Sequence, residues 1–367
     1  MEKQNSPIFE EQILTYQEVI DGVTIEGDDY GLVKKSLSKC RVKTFLANPF
    51  LKDKNVCLLH IQRADGVIVG NNTIIPSKFK AGDQIIECGG GSNLVVVERF
   101  RKYGIGAYHI LYPIRNTGRD AIIYAELSQD ALIAYRALHF YEFRLKKIWI
   151  FCNSDLLFRK LRFKGTLLKL CSGIFDYFFL KYRSFLLSIG RKKEFNVRRV
   201  YKVPKWVDDC VLNDGHKYME VHNHEWMQWC LDNMFYDVKG NKNVFYIIES
   251  KRKPMGFFFL KYRVREVSSF NTNKIFCSIM EWGAFDESHL SEADIYEIAL
   301  NYIDKDVDIV EYVSNDNKTN KRFIKYLSFC LGEHYIVFKD VKKKFTEAKD
   351  ANLWRLRYGY SDSIFNQ

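Results

Sequence analysis

Proline is scarce in this chain, six residues in 367, and glycine numbers only 21. That scarcity excludes collagen-like repeats and Pro/Gly-rich low-complexity segments, and a hydrophobic content of 47% with 15% aromatic residues describes a chain that packs cores. The nine cysteines are odd in number and none form a C-x-x-C pair. This excludes a zinc ribbon, argues against a disulfide framework and suits a reducing compartment. No stretch reaches the roughly 20 apolar residues of a spanning helix; the longest low-charge apolar run, residues 170–180, is about half that length. The opening residues, MEKQNSPIFEEQ, carry acids where a secretory leader needs a basic region and an apolar run. A cytoplasmic protein is therefore expected. The length suits two domains better than one core.

Net charge is +11, and most of the excess lies in one segment: residues 151–200 hold twelve Lys/Arg against three acids. Residues 155–188 of that segment alternate Leu/Phe clusters with basic residues and are helical in tendency. Two readings follow. One is a linker packed across both domains with its apolar side chains buried; the other is an interfacial helix in peripheral membrane contact. The need of a two-domain chain for a connector that buries apolar surface favours the packed linker. Nucleic-acid binding is not expected, because no reading motif accompanies the charge.

Between residues 55 and 123, short Val/Ile-rich runs (VCLLHIQ, GVIVGNNTIIPSKF, DQIIEC, NLVVVE) separated by Asp-Gly and Ala-Gly-Asp turns predict a meander of antiparallel strands. AYHILYPIRNT then predicts a helix, AIIYAEL a strand, SQDALIAYRALHFYEF a helix opened by Ser128, and LKKIWIFCN a strand. Downstream the order repeats: helix EWMQWCLDNMF, strands NVFYIIE, MGFFFLKYRVRE and KIFCSIMEWGAFD, helix SEADIYEIALNYID, strand VDIVEYVS, helix KTNKRFIKYLSFCLG, and end strands HYIVFKD and LWRLRYGY. Strands, helix, strand, helix, strand in each half point to an internal duplication.

Residues 94–110, LVVVERFRKYGIGAYHI, join a strand to a helix through a Gly-x-Gly turn. Such a turn exposes successive backbone N–H groups at the positive end of a helix dipole and so suits phosphate, while the two glycines admit close approach. The third glycine of a dinucleotide fingerprint is absent, His109 standing there, and no Walker Gly-Lys-Ser/Thr is present.

LVVVERFRKYGIG resembles the acetyl-CoA loop of the GNAT (GCN5-related) N-acetyltransferases, whose fourth strand runs into Arg/Gln-x-x-Gly-x-Gly/Ala; Arg101, Gly104 and Gly106 match it. SQDALIAYRALHF is similar to the family's Asn-x-x-Ala-x-x-Leu-Tyr-x-x-x-Gly-Phe, with Ala131, Tyr135 and Phe140 in place and Ser128, Ala134 and His139 departing from it. In the loop, Lys102 stands where a second Gly is common. The resemblance implies an α/β (α+β) architecture of two tandem GNAT-like folds, each a mixed, mostly antiparallel sheet flanked by helices. The halves are expected at 1–152 and 196–367, joined by a helical linker at 153–195. Only the first carries the loop, so one active site is implied.

The resemblance further implies that the loop of Arg101, Lys102, Tyr103, Gly104, Ile105, Gly106 and Ala107 holds the CoA pyrophosphate. The edge of Val95, Val96 and Val97 would pair with the pantetheine amides, and Tyr135 would protonate the leaving thiolate. An amine attacks a thioester only when neutral, and Glu87 is the acid nearest the motif for that deprotonation; its bland reading is a solvated strand-end carboxylate. Cys88 lacks the context of a nucleophile and reads as a core thiol. His216, His222, His224 and Glu225 read as a polar loop or helix cap, with no metal expected. The expected activity is transfer of an acyl group, from acetyl-CoA as co-substrate, to an amine such as a cell-envelope precursor bound between the halves. The alternatives are a FemAB-like or myristoyltransferase-like transferase and a non-catalytic binding protein.

Overall fold

A computed structural model describes residues 7–190, 195–267 and 272–365. The N-terminal strands are β1 (Phe9–Thr15), β2 (Cys57–Ala64), β3 (Val67–Ala81), β4 (Gln84–Val96), β5 (Ala121–Ala125) and β6 (Tyr141–Phe151). Those that follow are β7 (Phe195–Val200), β8 (Tyr218–Glu220), β9 (Lys242–Ser250), β10 (Lys253–Val267), β11 (Thr272–Ala284), β12 (Ile309–Ser314) and β13 (Ser328–Asp340). The helices are α1 (Tyr16–Ile20), α2 (Leu32–Ser36), α3 (Lys39–Leu46), α4 (Ile105–Asn116), α5 (Gln129–Ala137), α6 (Asp155–Lys160), α7 (Gly165–Gly190), α8 (Val207–Leu212), α9 (His224–Asp232), α10 (Glu292–Leu300) and α11 (Asn317–Phe323).

The strands form one sheet in the order β1-β2-β3-β4-β5-β13-β6-β12-β11-β10-β9-β7, with β8 added to β3. The order reads almost the same from either end. β2-β3-β4 and β9-β10-β11 are antiparallel meanders, and β4–β5 and β11–β12 are parallel pairs bridged by α4 and α10. At the centre the halves exchange their last strands. β6 pairs with β12, β13 pairs with β5, and β6 and β13 pair with each other over ten residues. Neither half therefore closes its own sheet.

Local chemistry accounts for several boundaries. Asp65 and Gly66 both take positive φ (51° and 78°), the geometry of a tight two-residue hairpin between β2 and β3. DQIIEC and NLVVVE, expected as two strands, form the single strand β4, because Gly89, Gly90 and Gly91 between them lie in the ladder opposite β3. The helix expected over 128–143 ends at Ala137 as α5, and His139 takes φ +56° where the related motif has glycine. KTNKRFIKYLSFCLG is likewise split: α11 stops at Phe323 and β13 begins at Ser328, after Leu327 turns to φ +56°.

The expected end strand LWRLRYGY is instead an irregular tail. Residues 354–365 bury Trp354, Tyr358, Tyr360, Ile364 and Phe365 in the largest core, which draws on both halves. Burial, not a ladder, holds it. The segment 155–188 is helical as expected, but only part of its apolar surface is buried: Leu156, Leu168 and Leu187 are buried, whereas Leu170, Ile174, Phe178 and Phe185 are each at least half exposed. Among the described residues no helix is long and apolar enough to cross a membrane.

The exchanged strands enclose charge. Glu311 on β12 is fully buried and takes bonds from Ser278 Oγ (2.6 Å), Tyr358 Oη (3.0 Å) and Trp149 Nε1 (3.2 Å) beside the Arg263 guanidinium. Burial alone would raise its pKa, but Arg263, Lys147 and Arg265 outweigh it and hold the carboxyl well below the usual range. A depressed folded-state pKa adds stability above the unfolded value of about 4.3, which is lost as pH falls through the lower folded value. Glu311→Gln leaves Arg263 without its counterion and is expected to cost about 3–5 kcal/mol in urea denaturation at pH 7. As the pH falls from about 5 to about 3 the wild type should lose stability more steeply than the variant, and parallel slopes would contradict the assignment.

Candidate functional site

β4 and β5 run parallel but pair over only three residues, Cys88 with Ala121, Gly89 with Ile122 and Gly90 with Ile123. Beyond that point they part, for reasons visible in the sequence of each strand. A Cβ on Gly91 would lie 1.4 Å from a ring carbon of Tyr124, so glycine alone lets the Tyr124 ring stand against β4. Two residues further, Asn93 takes φ +53°, and between the paired positions β4 spends two residues (Asn93 and Leu94) against one on β3 (Asn72). This bulge bends β4 away from β5. Residues 92–96 keep β3 on one side, with Val95 opposite Asn71 and Val96 opposite Gly70, and have no strand on the other among the described residues.

The strand ends in a 3-10 turn over Glu98–Tyr103, and Gly104, at φ +75°, opens α4. No side chain caps this helix. Its first backbone bond runs from Tyr108 N–H to Gly104 O (3.1 Å), so the amides of Ile105, Gly106 and Ala107 face out of the N-terminus. A Cβ on Gly106 would meet only Val96 Cγ2 at 3.9 Å. The fold does not require glycine there. Arg99, Arg101 and Lys102 surround the turn; Arg101 is exposed and reaches only Asp130 (3.4 Å) and Val96 O (3.4 Å), and Lys102 lies over the Tyr103 ring.

Where the strands part lies a cavity of about 270 Å³, lined by both strands, by Ser128, Ala131 and Tyr135 of the α5 end, and by Arg41, Tyr236 and Asp362 from elsewhere in the chain. Tyr135 is 1% exposed, and its hydroxyl is buried without a partner among the described residues. Burial, reinforced by Tyr124 and Asp362, raises its pKa well above the ordinary value, so the group presented to the cavity is a protonated phenol. Glu126, at the end of β5, takes φ +55° and has one carboxylate oxygen buried without a partner. Asp362 is 3% exposed and accepts from Ser92 Oγ (2.5 Å). Lys261, buried on β10, is faced by Glu126, Glu311 and Asp362; burial and Arg263 nonetheless hold its pKa well below the usual value.

Of the residues named from the sequence, Val95, Val96, Val97, the 101–107 turn and Tyr135 belong to this one region. Glu87 does not reach it. It sits before the β4–β5 pairing, 65% exposed, in a pair with Lys52 (2.6 Å) that lowers its pKa. Cys88 is buried in the ladder and burial pushes its thiol up. His216, His222 and His224 go to separate acids, Asp214, Glu281 and Asp208, and among the described residues no cluster of three ligating side chains forms. Arg41, Glu126 and Asp362 were missed. Glu126, in AIIYAEL, stands just past a strand end that the sequence shows, but nothing local signals that residues 85 positions before it and 236 after it meet it.

The second half repeats the parting geometry. β11 and β12 pair over three residues, Phe276 to Ser278 against Ile309 to Glu311, and β11 carries its own irregularity beside Phe259 and Leu260 of β10. Here the chain's own tail enters: Gly359 N–H donates to Met280 O (3.0 Å), Tyr358 Oη bonds Glu311, and Arg357 pairs with Glu281 (3.3 Å). A larger, more open hollow of about 540 Å³ lies nearby, but its Asp214, His216 and Arg355 are already paired with one another.

No family model and no curated protein matches this chain by sequence. Solved structures do match. A GCN5-related N-acetyltransferase from Anabaena variabilis superposes with a TM-score of 0.56 at 10% identity, over 91% of this chain and 73% of that one. Two structures of Saccharomyces cerevisiae N-myristoyltransferase with bound myristoyl-CoA give TM-scores of 0.52 and 0.54 at 12% and 10% identity, over 92% of this chain and 84% and 79% of those. The chain therefore has the GNAT fold shared by the GCN5-related N-acetyltransferases and N-myristoyltransferases, its elements repeated in two halves.

Proposed function

We propose that the chain is an acyl-CoA-dependent N-acyltransferase with one active site, in its N-terminal half, and that its donor is acetyl-CoA or another short acyl-CoA. The observation that carries this reading is the unpaired edge of β4 lying between an uncapped helix N-terminus and a buried phenol without a partner. The amides of 105–107 suit a pyrophosphate, the edge of residues 92–96 suits the amides of pantetheine as an added strand would, and the thioester then lies by Tyr135. The polar lining contributed by Ser92, Glu126 and Asp362 favours a short acyl group over a fatty one. The tail that occupies the corresponding space in the C-terminal half supports a single site.

The chemistry follows from the lining groups. The acceptor's amine, once neutral, attacks the carbonyl carbon; an N–C bond forms and the C–S bond breaks. Glu126 and Asp362 are the carboxylates placed to take the proton that the amine sheds, and Tyr135 is the O–H donor placed for the sulfur. This assigns the base to residues other than Glu87.

Calorimetry with acetyl-CoA tests the donor site: binding is expected, and none to acetyl-CoA, longer acyl-CoAs or CoA would reject the proposal. Gly106→Ala sharpens the test, because its two effects have opposite sign. With nothing nearer than 3.9 Å to the new methyl group, a helical Gly→Ala change should stabilise the apoprotein by about 0.5–1 kcal/mol while weakening acetyl-CoA binding. Unchanged affinity would place the pyrophosphate elsewhere. Tyr135→Phe should lower turnover by roughly 10²–10⁴ with little change in acetyl-CoA affinity, and equal turnover would return Tyr135 to a packing role.

A further inference from the structure

Arg41, on α3, is a buried charge without a counterion among the described residues. It is 1% exposed and lines the cavity beside Tyr236. Its Nη2 donates to Tyr236 Oη (2.7 Å), and the guanidinium lies over the rings of Phe235 (4.4 Å) and Tyr236 (5.2 Å). Nε and Nη1 are buried with no acceptor, and among the described residues no carboxylate pairs with it. An arginine cannot shed its proton, and a buried cation is costly unless an anion meets it; ring faces offset part of that cost and accept none of the N–H bonds. The same cavity carries Glu126 and Asp362, the former with an unpartnered oxygen.

A cation and two carboxylates around one small space are complementary to a zwitterion. We infer that the acceptor is an amine that also bears a carboxylate, a small amino acid by chemical class, with Arg41 holding its carboxylate while its amine lies toward Glu126 and Asp362. The inference rests on the N-acyltransferase reading for the role of the amine; the carboxylate site itself does not. The donor's phosphates are not the partner of Arg41. The cavity lining on β4 ends at Leu94, whereas the open amides begin at Ile105, past the rest of the strand and the whole turn of Glu98–Tyr103.

Thermal melting of the apoprotein with each of the twenty amino acids and with the matching amino-acid amides tests the inference without any donor. At least one amino acid is expected to raise the melting temperature, its amide is not, and Arg41→Met should abolish the shift. Arg41→Met alone should keep or raise the melting temperature, because an unpaired buried charge is replaced by an apolar chain of similar length. A fall of several degrees would make Arg41 structural and overturn the inference, as would no shift with any amino acid, or a larger shift with inorganic phosphate. Acetyl-CoA affinity should be equal in the two proteins; a loss in Arg41→Met would assign Arg41 to the donor. Failure of the wild type to bind acetyl-CoA rejects the acyltransferase reading, while the carboxylate result stands separately.

A different observation, independent of the reaction, concerns α7. This helix of 26 residues, about 39 Å long, buries Leu168 and Leu187 together with polar side chains on its inner face and leaves a row of apolar side chains outward. Ser172 and Arg183 are buried; Asp176 accepts from Ser154 N–H (2.7 Å), and Arg183 Nη1 lies 3.0 Å from Cys152 Sγ. Leu167, Leu170, Ile174, Phe178, Phe185 and Ile189, at helical spacing along the other side, are each more than half exposed. Arg162, Lys164, Lys169 and Lys181 are exposed along the same hairpin. A second copy would set these cations against their own kind, whereas an anionic surface complements them.

The geometry points to α7 as a docking helix for an anionic lipid surface, lying in the interface with its apolar row among the acyl chains. Co-sedimentation with phosphatidylglycerol/phosphatidylcholine vesicles at low salt should pellet the protein, with less at high salt and less with phosphatidylcholine alone. Because both side chains are exposed, Ile174→Glu/Phe178→Glu should fold with the wild-type melting temperature and stay in the supernatant. No pelleting of the wild type, or equal pelleting of the variant, overturns the proposal. So does a dimer in sedimentation equilibrium that the variant loses.

Discussion

The parting of β4 from β5 is the constraint from which the rest of the site follows. Parallel strands held together over their full length would pair every backbone group and leave nothing to bind. Here the ladder stops after Gly90 because the Tyr124 ring takes the place of a side chain at Gly91 and the Asn93 bulge swings β4 outward. One small residue and one extra residue thus convert a stretch of sheet edge, ordinarily a liability, into an internal edge reached from a cavity. The Tyr124 hydroxyl, bonded to Asn72 (3.2 Å), fixes the ring that does this.

The same parting recurs between β11 and β12, with a different fate. The tail after β13 supplies Gly359 to the Met280 carbonyl and Tyr358 to Glu311, so the second edge is satisfied from within. It then crosses to the first half, where Ser361 Oγ donates to Gly91 O (2.9 Å) and Asp362 meets Ser92. One segment fills one parting and lines the cavity at the other. This is possible only because β13 lies between β5 and β6, so that the chain leaves the sheet at its centre.

The exchange of β6 and β13 also explains why the deepest charges lie where they do. Glu311 of β12, Arg263 and Lys261 of β10, and Glu126 past the end of β5 come from three different strands or strand ends and meet around the central strands, out of water. Ion pairs there gain from low screening and lose heavily if one member goes. The two halves are thus coupled by electrostatics as well as by the large shared core.

The sequence by itself determined the repeated order of elements, the turn at 101–107 and the place of Tyr135, because each depends on local chemistry: β-branched runs, glycines at positive φ, and a serine cap whose side chain accepts from Ala131 N–H at the start of α5. It misjudged LWRLRYGY as a strand and overstated how much of the apolar surface of residues 155–188 is buried, since apolar composition says that a segment avoids water without saying what it meets. Arg41, Glu126 and Asp362 are separated by 85 and 236 positions and lie in segments without a motif. Only the tertiary structure brought them to one cavity, for a physical reason: the exchanged strands carry the tail across the sheet, and burial, not spacing along the chain, makes those charges neighbours.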